Sequence, residues 1–339
     1  MVTSREIRLK SRPVGVPAHD NFELATVEIG APGDGEIQVR NLWMSVDPYM
    51  RGRMYDRPSY VPPFQIGQAL QGGAIGEVVA SNDPDFKPGD IVNSMFGWRE
   101  AFNAHPKSLA AAGMGAITKI DTQGVPPQAF LGVAGMPGMT AYVGLLKIAA
   151  LKDGDVVFVS AAAGAVGSIV CQIAKLKAHT VIGSAGGPEK VAFLKSIGVD
   201  HVIDYKATPD VVAELAKVAP KGIDVYFENV GGIILDAVLS RANAFSRVAM
   251  CGMIAGYNGE PIPMAAPQLI LVNRMKIEGF IVSEHMEVWP EALKELGTLV
   301  ATGKLKYRES VAQGLDSAPE AFLGLLKGKN FGKQLVKLI

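Results

Sequence analysis

The rhythm of apolar and polar positions changes near residue 131. Before that point the pattern has period two. Leu24–Ile29 and Glu36–Met44 alternate, with the turn segment Ala31-Pro-Gly-Asp-Gly35 between them, as half-buried strands do. Short strands are also predicted at Gly73–Ala80 and Asp90–Ser94, punctuated by Asp83-Pro-Asp85 and Lys87-Pro-Gly-Asp90. Strands this short, so evenly broken by turn residues, predict a barrel-like β domain. Tyr55–Phe64 carries Pro58, Pro62 and Pro63 and reads as a loop at its edge, with Pro58–Phe64 a candidate substrate-covering segment.

After residue 131 continuous apolar runs alternate with helical periodicity. A helix at Thr140–Ala149 precedes a strand at Val156–Ser160 and a helix at Val166–Leu176. Strands at Val181–Ser184, His201–Asp204, Asp224–Glu228 and Arg247–Met250 follow. Between them lie helices at Glu189–Ile197, Pro209–Ala219 and from Gly231-Gly232 to Leu239. A strand at Met275–Val282 and a helix at Glu291–Thr302 complete the series. Apolar strands alternating with helices at this spacing predict a doubly wound parallel sheet with right-handed crossovers. The end returns to β character: a strand at Lys306–Val311, a helix at Pro319–Lys327 and a strand at Gln334–Leu338. The fold expected is therefore α/β, with a parallel-sheet domain (132–309) inserted in a β-rich domain (1–131 and 310–339).

Composition narrows the class. Hydrophobic residues at 48% and charged residues at 19% describe a globular chain. The 33 basic residues balance 33 acidic ones, so no nucleic acid and no anionic membrane surface is expected as a partner. Val156–Ala174 approaches the length of a membrane span, but its glycines, its serines and its switch from strand-like to helix-like residues argue for a strand followed by a helix. The two cysteines, Cys171 and Cys251, form no Cys-x-x-Cys pair. The five histidines (His19, His105, His179, His201 and His285) form no metal-spaced pair. Disulfides and a metal site are not expected, and a cytoplasmic setting is. The start, Met1-Val-Thr-Ser-Arg-Glu6, has no apolar run of the kind a secretory signal needs.

The chemistry centres on Val156–Val170. A β-branched run enters a turn at Gly164-Ala-Val-Gly167 and becomes helix. A buried strand, a tight turn and a helix N-terminus in that order seat a pyrophosphate on unpaired N–H groups. The first glycine of the usual Gly-x-Gly-x-x-Gly is Ala162 here, so the context carries more weight than the motif. Units that bind NAD place a carboxylate at the end of the next strand for the ribose 2′-hydroxyl. None stands at 183–187, whereas Ser184, Lys190 and Tyr205 can donate to a phosphate. The alternative is a solvated Lys190 and an edge tyrosine, but the combination favours NADP(H) over NAD(H).

These residues together resemble, nearly end to end, the zinc-independent medium-chain dehydrogenase/reductases. Within them the chain is most similar to the NADPH-dependent alkenal/one double-bond reductases, the group of the prostaglandin and curcumin reductases. The matching segments run in order. They are Ser45-Val-Asp-Pro-Tyr-Met-Arg51, Met136-Pro-Gly-Met-Thr-Ala-Tyr142 and Ala161-Ala-Ala-Gly-Ala-Val-Gly-Ser168, then Gly187-Pro-Glu-Lys190, Asp204-Tyr-Lys206 and Phe227-Glu-Asn-Val-Gly-Gly232. Cys251-Gly-Met-Ile-Ala-Gly-Tyr-Asn258 and Gly328-Lys-Asn-Phe-Gly-Lys333 close the set. Gly67-Gln-Ala stands where zinc-dependent relatives carry Gly-His-Glu.

The resemblance implies a Rossmann domain inserted in a GroES-like barrel, and a homodimer. It implies that Gly164, Ala165, Val166 and Gly167 hold the pyrophosphate, and that Ser184, Lys190 and Tyr205 hold the 2′-phosphate. Asn229, Cys251, Gly252, Tyr257, Phe280, Ile281, Val282 and Asn330 would line the ribose and nicotinamide. Several have plainer readings: Cys251 as a small buried apolar residue, Phe280–Val282 as core strand, Asn229 and Asn330 as turn caps. Tyr257, on a loop beside Gly256, is the candidate donor to the carbonyl oxygen of an enal or enone substrate, or else a wall of the pocket. Tyr49 and Met136 are weaker substrate candidates. The expected activity is reduction of the double bond of α,β-unsaturated aldehydes and ketones without a metal. The alternatives are an NADPH:quinone oxidoreductase and a non-catalytic NADPH-binding crystallin or sensor.

Overall fold

A computed structural model of the chain describes residues 1–111, 116–122, 124–259 and 261–339. It comprises two compact units, Met1–Leu131 with Glu309–Ile339, and Gly132–Arg308. The first begins with β1 (Val2–Leu9), β2 (Phe22–Ile29), β3 (Ile37–Ser45), α1 (Met50–Arg53), β4 (Ala74–Ser81), β5 (Ile91–Ser94), β6 (Ala101–Ala104), α2 (Pro106–Ala111) and β7 (Thr118–Lys119). The second holds α3 (Met136–Tyr142), β8 (Val156–Val159), α4 (Gly167–Leu176), β9 (Thr180–Ala185), α5 (Pro188–Ser196), β10 (His201–Asp204), α6 (Val211–Val218) and β11 (Ile223–Glu228). It continues with α7 (Gly232–Arg241), β12 (Ala242–Met250), α8 (Gln268–Val272), β13 (Lys276–Gly279) and α9 (Trp289–Ala301). The chain then returns to the first unit with β14 (Glu309–Gln313), α10 (Ala318–Leu326) and β15 (Lys333–Lys337).

In the second unit six strands lie in the order β10-β9-β8-β11-β12-β13, every pair parallel. This is the doubly wound order, and it reverses direction between β8 and β11. The strands read as apolar runs because both faces are buried: Val157, Phe158, Val159, Val181, Ile182, Val225, Tyr226 and Phe227 are almost wholly inaccessible. Phe158 and Tyr226 meet edge to face at 5.4 Å. No helix among the described residues is long and apolar enough to cross a membrane; the apolar stretch 156–174 is split between β8 and α4.

The first unit builds a seven-stranded sheet in the order β14-β15-β3-β4-β5-β7, with β6 also on β3. Its main core stacks Phe22 on Trp98 (6.2 Å) and sets Phe322 of α10 against both.

Four details differ from the sequence expectation. The strand Leu24–Ile29 extends back to Phe22 and pairs with β1. The pattern missed β1 because its buried residues are Ser4, Ile7 and Leu9, which do not alternate. The helix expected over Thr140–Ala149 is α3 followed by a π-turn at Val143–Ile148. The strand expected over Met275–Val282 stops at Gly279, and Val282–Glu284 is a 3-10 turn, so Phe280–Val282 are not core strand. The strand expected over Lys306–Val311 is β14, three residues later.

Candidate functional site

In an open parallel sheet the carboxyl ends of the strands at the point of reversal form the crevice where ligands bind. Here those ends are Ser160 after β8 and Glu228 in β11. Glu228 is fully buried. Its Oε1 accepts from Ser160 Oγ (2.8 Å) and from Val230 N–H (2.5 Å), and its Oε2 accepts from the Tyr226 hydroxyl (2.6 Å). Burial, then the charge of Glu228, push the Tyr226 phenol far above its usual range, which keeps it a donor. Ser160 Oγ accepts in turn from Asn229 N–H at 2.8 Å, while Asn229 Nδ2 donates to the Ser160 carbonyl at 2.8 Å. Asn229 therefore ties two strand ends together rather than capping its own turn.

The same carboxyl ends support the loop that carries Tyr257. Cys251 N–H and Gly252 N–H both donate to the Glu228 carbonyl, at 2.9 and 3.1 Å. Ile254 N–H reaches the Asn229 carbonyl and Ala255 N–H the Val230 carbonyl. The Tyr257 hydroxyl accepts from Met253 N–H at 3.4 Å and would stand 3.0 Å from a Cβ at Gly252. Burial, then the charge of Glu228, push the Cys251 thiol up to about 12, so at neutral pH it is a protonated, unreactive group.

Between β8 and α4 the chain turns through Ala161, whose φ is +46°. Gly164 N–H donates to the Ala161 carbonyl and Ser168 N–H to the Gly164 carbonyl. Gly167 is required by packing: a Cβ there would lie 2.5 Å from Ala161 O and 2.9 Å from Ala162 Cα. The N-cap of α4 is Val166, and no side chain caps this helix. With no side-chain cap, the start of this helix is open to an anion, and the positive end of the helix dipole lies behind it.

One strand outward, Ser184 Oγ is buried and has no hydrogen-bond partner among the described residues. Tyr205 and Lys206 extend from the end of β10 and lie against Gly186. Lys190, near the start of α5, is half-buried; burial, then the charge of Lys206, lower its pKa. No carboxylate occupies 183–187. Asp204 is close by, but its Oδ1 is turned onto Gly187 N–H (3.1 Å) and Lys206 N–H (3.0 Å). Those bonds, the one from Gly187 foremost, hold its carboxyl below the usual range. An orphaned hydroxyl and two mutually repelling lysines suit an incoming phosphate, so these residues fit a 2′-phosphorylated dinucleotide.

The remaining expected residues are placed as follows. Phe280 packs edge to face on Phe227 at 6.3 Å, and both rings press on Gly144 in the π-turn, where a Cβ would lie 2.5 Å from Phe227. The Ile281 and Val282 carbonyls accept from Glu284 and His285 N–H. Met136 is partly exposed at the start of α3. Tyr49 and Asn330 belong to the first unit. The Tyr49 hydroxyl is buried without a partner among the described residues, and burial, then Asp47, raise its pKa. Asn330 Nδ2 donates to the Gly332 carbonyl at 2.9 Å, closing its own turn. The loop Pro58–Phe64 is held by the buried Arg53, whose Nε donates to Pro62 O at 2.9 Å and whose guanidinium lies 4.1 Å from the Phe64 ring. Among the described residues no group of three or more His, Cys, Asp or Glu side chains is placed to hold a metal ion.

Sequence reasoning assigned no role to Ser160, Glu228, Gly186 or Lys206. Only Glu228 left a trace, as a charge closing the apolar run Val225-Tyr-Phe227.

Residues 5–111 match the N-terminal domain of oxidoreductases and residues 165–298 the zinc-binding dehydrogenase family. The chain is 41% identical to the NADPH-dependent curcumin reductase of Escherichia coli, over 97% of this chain and 95% of that protein. It is 41% identical to the NADP-dependent 2-alkenal reductase of Nicotiana tabacum, over 99% and 97%. The chain belongs to the medium-chain dehydrogenase/reductases, in the alkenal/one double-bond reductase group. The crystal structure of another protein, CurA from Vibrio vulnificus in complex with NADPH, superposes on this medium-chain reductase with a TM-score of 0.91, 43% identity and 99% coverage of each chain. Family membership accounts for the doubly wound sheet and for its order of strands.

Proposed function

We propose that the chain is an NADPH-dependent reductase of the carbon–carbon double bond of α,β-unsaturated aldehydes and ketones, working as a homodimer in the cytoplasm. The observation that carries the coenzyme reading is the group Ser184, Lys190 and Tyr205, with Lys206 beside it and no carboxylate at 183–187. The segment Gly164–Gly167 and the start of α4 hold the pyrophosphate. Asn229, Cys251–Tyr257 and Phe280–Val282 line the ribose and nicotinamide.

Bound NADPH supplies a hydride to the β-carbon of the substrate, and negative charge builds on the carbonyl oxygen. The Tyr257 hydroxyl donates a hydrogen bond to that oxygen and stabilises the enolate. The backbone bonds from the end of β11 hold the Tyr257 loop still, so little reorganisation is needed as charge develops. A proton delivered to the α-carbon by water or by the Tyr257 hydroxyl completes the reduction. A protonated Cys251 is also suited to a site that admits electrophilic enals, since the thiolate is the form that would add to them.

The test is NADPH oxidation across a panel of 2-alkenals, curcumin-like dienones and small quinones. Turnover with the first two and not the third is expected. Turnover with quinones alone would move the chain to the quinone oxidoreductases, and none with any substrate would leave it a binding protein.

The coenzyme reading also makes a prediction about pH. Lys190 holds a phosphate in its protonated form, and its pKa lies below the ordinary 10.5. NADPH affinity should therefore be full at neutral pH and fall as pH rises through that lowered value, while NADH affinity stays flat. Lys190→Ala should weaken NADPH binding about tenfold or more, the size of one charge-assisted hydrogen bond, and should remove this pH dependence. Titrations at several pH values that show equal effects on both coenzymes would rule out the phosphate role.

A further inference from the structure

A π-turn inside a helix is rare and frequently marks a functional site. The one at Val143–Ile148 continues α3, and the Gly144 carbonyl makes its wide bond, accepting from Ala149 N–H at 2.9 Å. Gly144 is not among the residues with positive φ, so its backbone does not require glycine. The space around it does. A Cβ there would lie 2.5 Å from Phe227 Cε2 and 2.6 Å from Phe280 Cζ, where ordinary carbon contacts are about 3.5–4 Å.

Of the three groups that meet at this point, Phe280 is the one with room to move. Phe227 is wholly buried in β11. The far end of the π-turn is fastened to β12, because Arg247 Nε donates to the Ala149 carbonyl at 3.0 Å and its guanidinium pairs with Asp155. Phe280 is only partly buried and follows the last residue of β13. The strand register shows where it stands. Glu228 pairs with Met250, and Met250 with Gly279. Asn229, Cys251 and Phe280 are therefore the next residues outward on three neighbouring strands, at the carboxyl ends that form the crevice. Beyond Phe280 the chain closes at once into a 3-10 turn. The Ile281 and Val282 carbonyls accept from Glu284 and His285 N–H, so a shift of Phe280 carries that segment with it.

We propose that Gly144 is a positioning residue for the nicotinamide end of the coenzyme site. Its missing side chain lets the Phe280 ring lie edge to face on Phe227, and this contact sets the course of Phe280–Val282 beside Asn229 and Cys251. The inference rests on the reading of Phe280–Val282 as nicotinamide lining, and adds the π-turn behind that segment as the element that fixes it.

The test compares binding of NADPH with binding of adenosine 2′,5′-bisphosphate, a fragment that keeps the 2′-phosphate and lacks the nicotinamide. Calorimetric titration gives both Kd values for the wild type, Gly144→Ala, Phe280→Leu and the double variant. Gly144→Ala should raise the NADPH Kd about tenfold, as overpacking at one position does, and change the fragment Kd by less than about twofold. The unchanged fragment Kd also reports that the variant is folded. In the Phe280→Leu background Gly144→Ala should have almost no further effect, because the ring that it displaces is gone. An NADPH Kd that does not rise, a fragment Kd that rises equally, or an undiminished effect in the leucine background would overturn the role. So would a Gly144→Ala chain that does not fold, since position 144 would then serve the core alone. A wild-type chain that binds neither NADPH nor the fragment would instead sink the coenzyme reading itself.

Discussion

Replacing Glu228 with alanine is expected to destabilise the second unit by about 4 kcal/mol and to abolish measurable NADPH binding. The Tyr226 hydroxyl, Ser160 Oγ and Val230 N–H would all lose their acceptor, the first two on wholly buried side chains. An unsatisfied buried donor costs about 1–3 kcal/mol, and partial relaxation keeps the total below three times that. Set against a typical native stability of about 5–15 kcal/mol, the loss is severe and should lower Tm by roughly 10 °C. The functional loss is larger than the stability loss alone suggests. Ser160 Oγ also positions Asn229 N–H, and Glu228's own carbonyl carries the Cys251 and Gly252 amides. Glu228→Gln separates hydrogen bonding from shape. Its single oxygen still accepts from Ser160 and Val230, and its amide can donate to the Tyr226 oxygen, so a loss below about 1.5 kcal/mol is expected. Thermal denaturation and NADPH titration of both variants decide the matter. If alanine is as mild as glutamine, the network does not hold the site.

Why the sequence missed this network, yet read the sheet around it, is a matter of range. The runs at Val156–Val159 and Ile223–Glu228 announce buried parallel strands because neither face is solvated, and glycine-rich turns mark their ends. The residues proposed to hold the 2′-phosphate, Ser184, Lys190 and Tyr205, are also legible, since an acid missing from a short window is a local signal. Ser160 and Glu228 are bonded across 68 positions, and only the adjacency of β8 and β11 brings them together. Gly186 and Lys206 meet in the same way, through the pairing of β9 with β10. The π-turn at Val143–Ile148 kept a helical pattern and gave no warning. Its physical cause is tertiary, since Gly144 is pressed by the rings of Phe227 and Phe280. Likewise β1 was hidden because one of its buried positions is a serine, satisfied by the Ala101 carbonyl at 3.1 Å.

Tyr257→Phe should lower kcat about 100-fold and leave the NADPH Kd within about twofold. Loss of one donor aimed at a developing oxyanion typically costs about 10²–10³ in turnover. The phenyl ring retains the packing, so the substitution removes the hydroxyl alone: the proposed donor and the acceptor of the long Met253 N–H bond. The donor is well placed to act because its loop is fixed from below. Backbone amides at Cys251, Gly252, Ile254 and Ala255 are bonded to the carbonyls of Glu228, Asn229 and Val230. Met253 N–H also donates to the hydroxyl oxygen at 3.4 Å, which ties the side chain to its own loop. An interaction made only as charge develops lowers kcat and kcat/KM together, whereas a wall of the pocket raises KM. A raised KM with unchanged kcat would therefore reduce Tyr257 to packing. Gly252→Ala gives an independent reading of the same geometry, since its Cβ would lie 3.0 Å from the hydroxyl oxygen. It should depress kcat in the wild type and do nothing further once Tyr257 is phenylalanine. Additive losses in the double variant would mean that Gly252 acts on the site by another route.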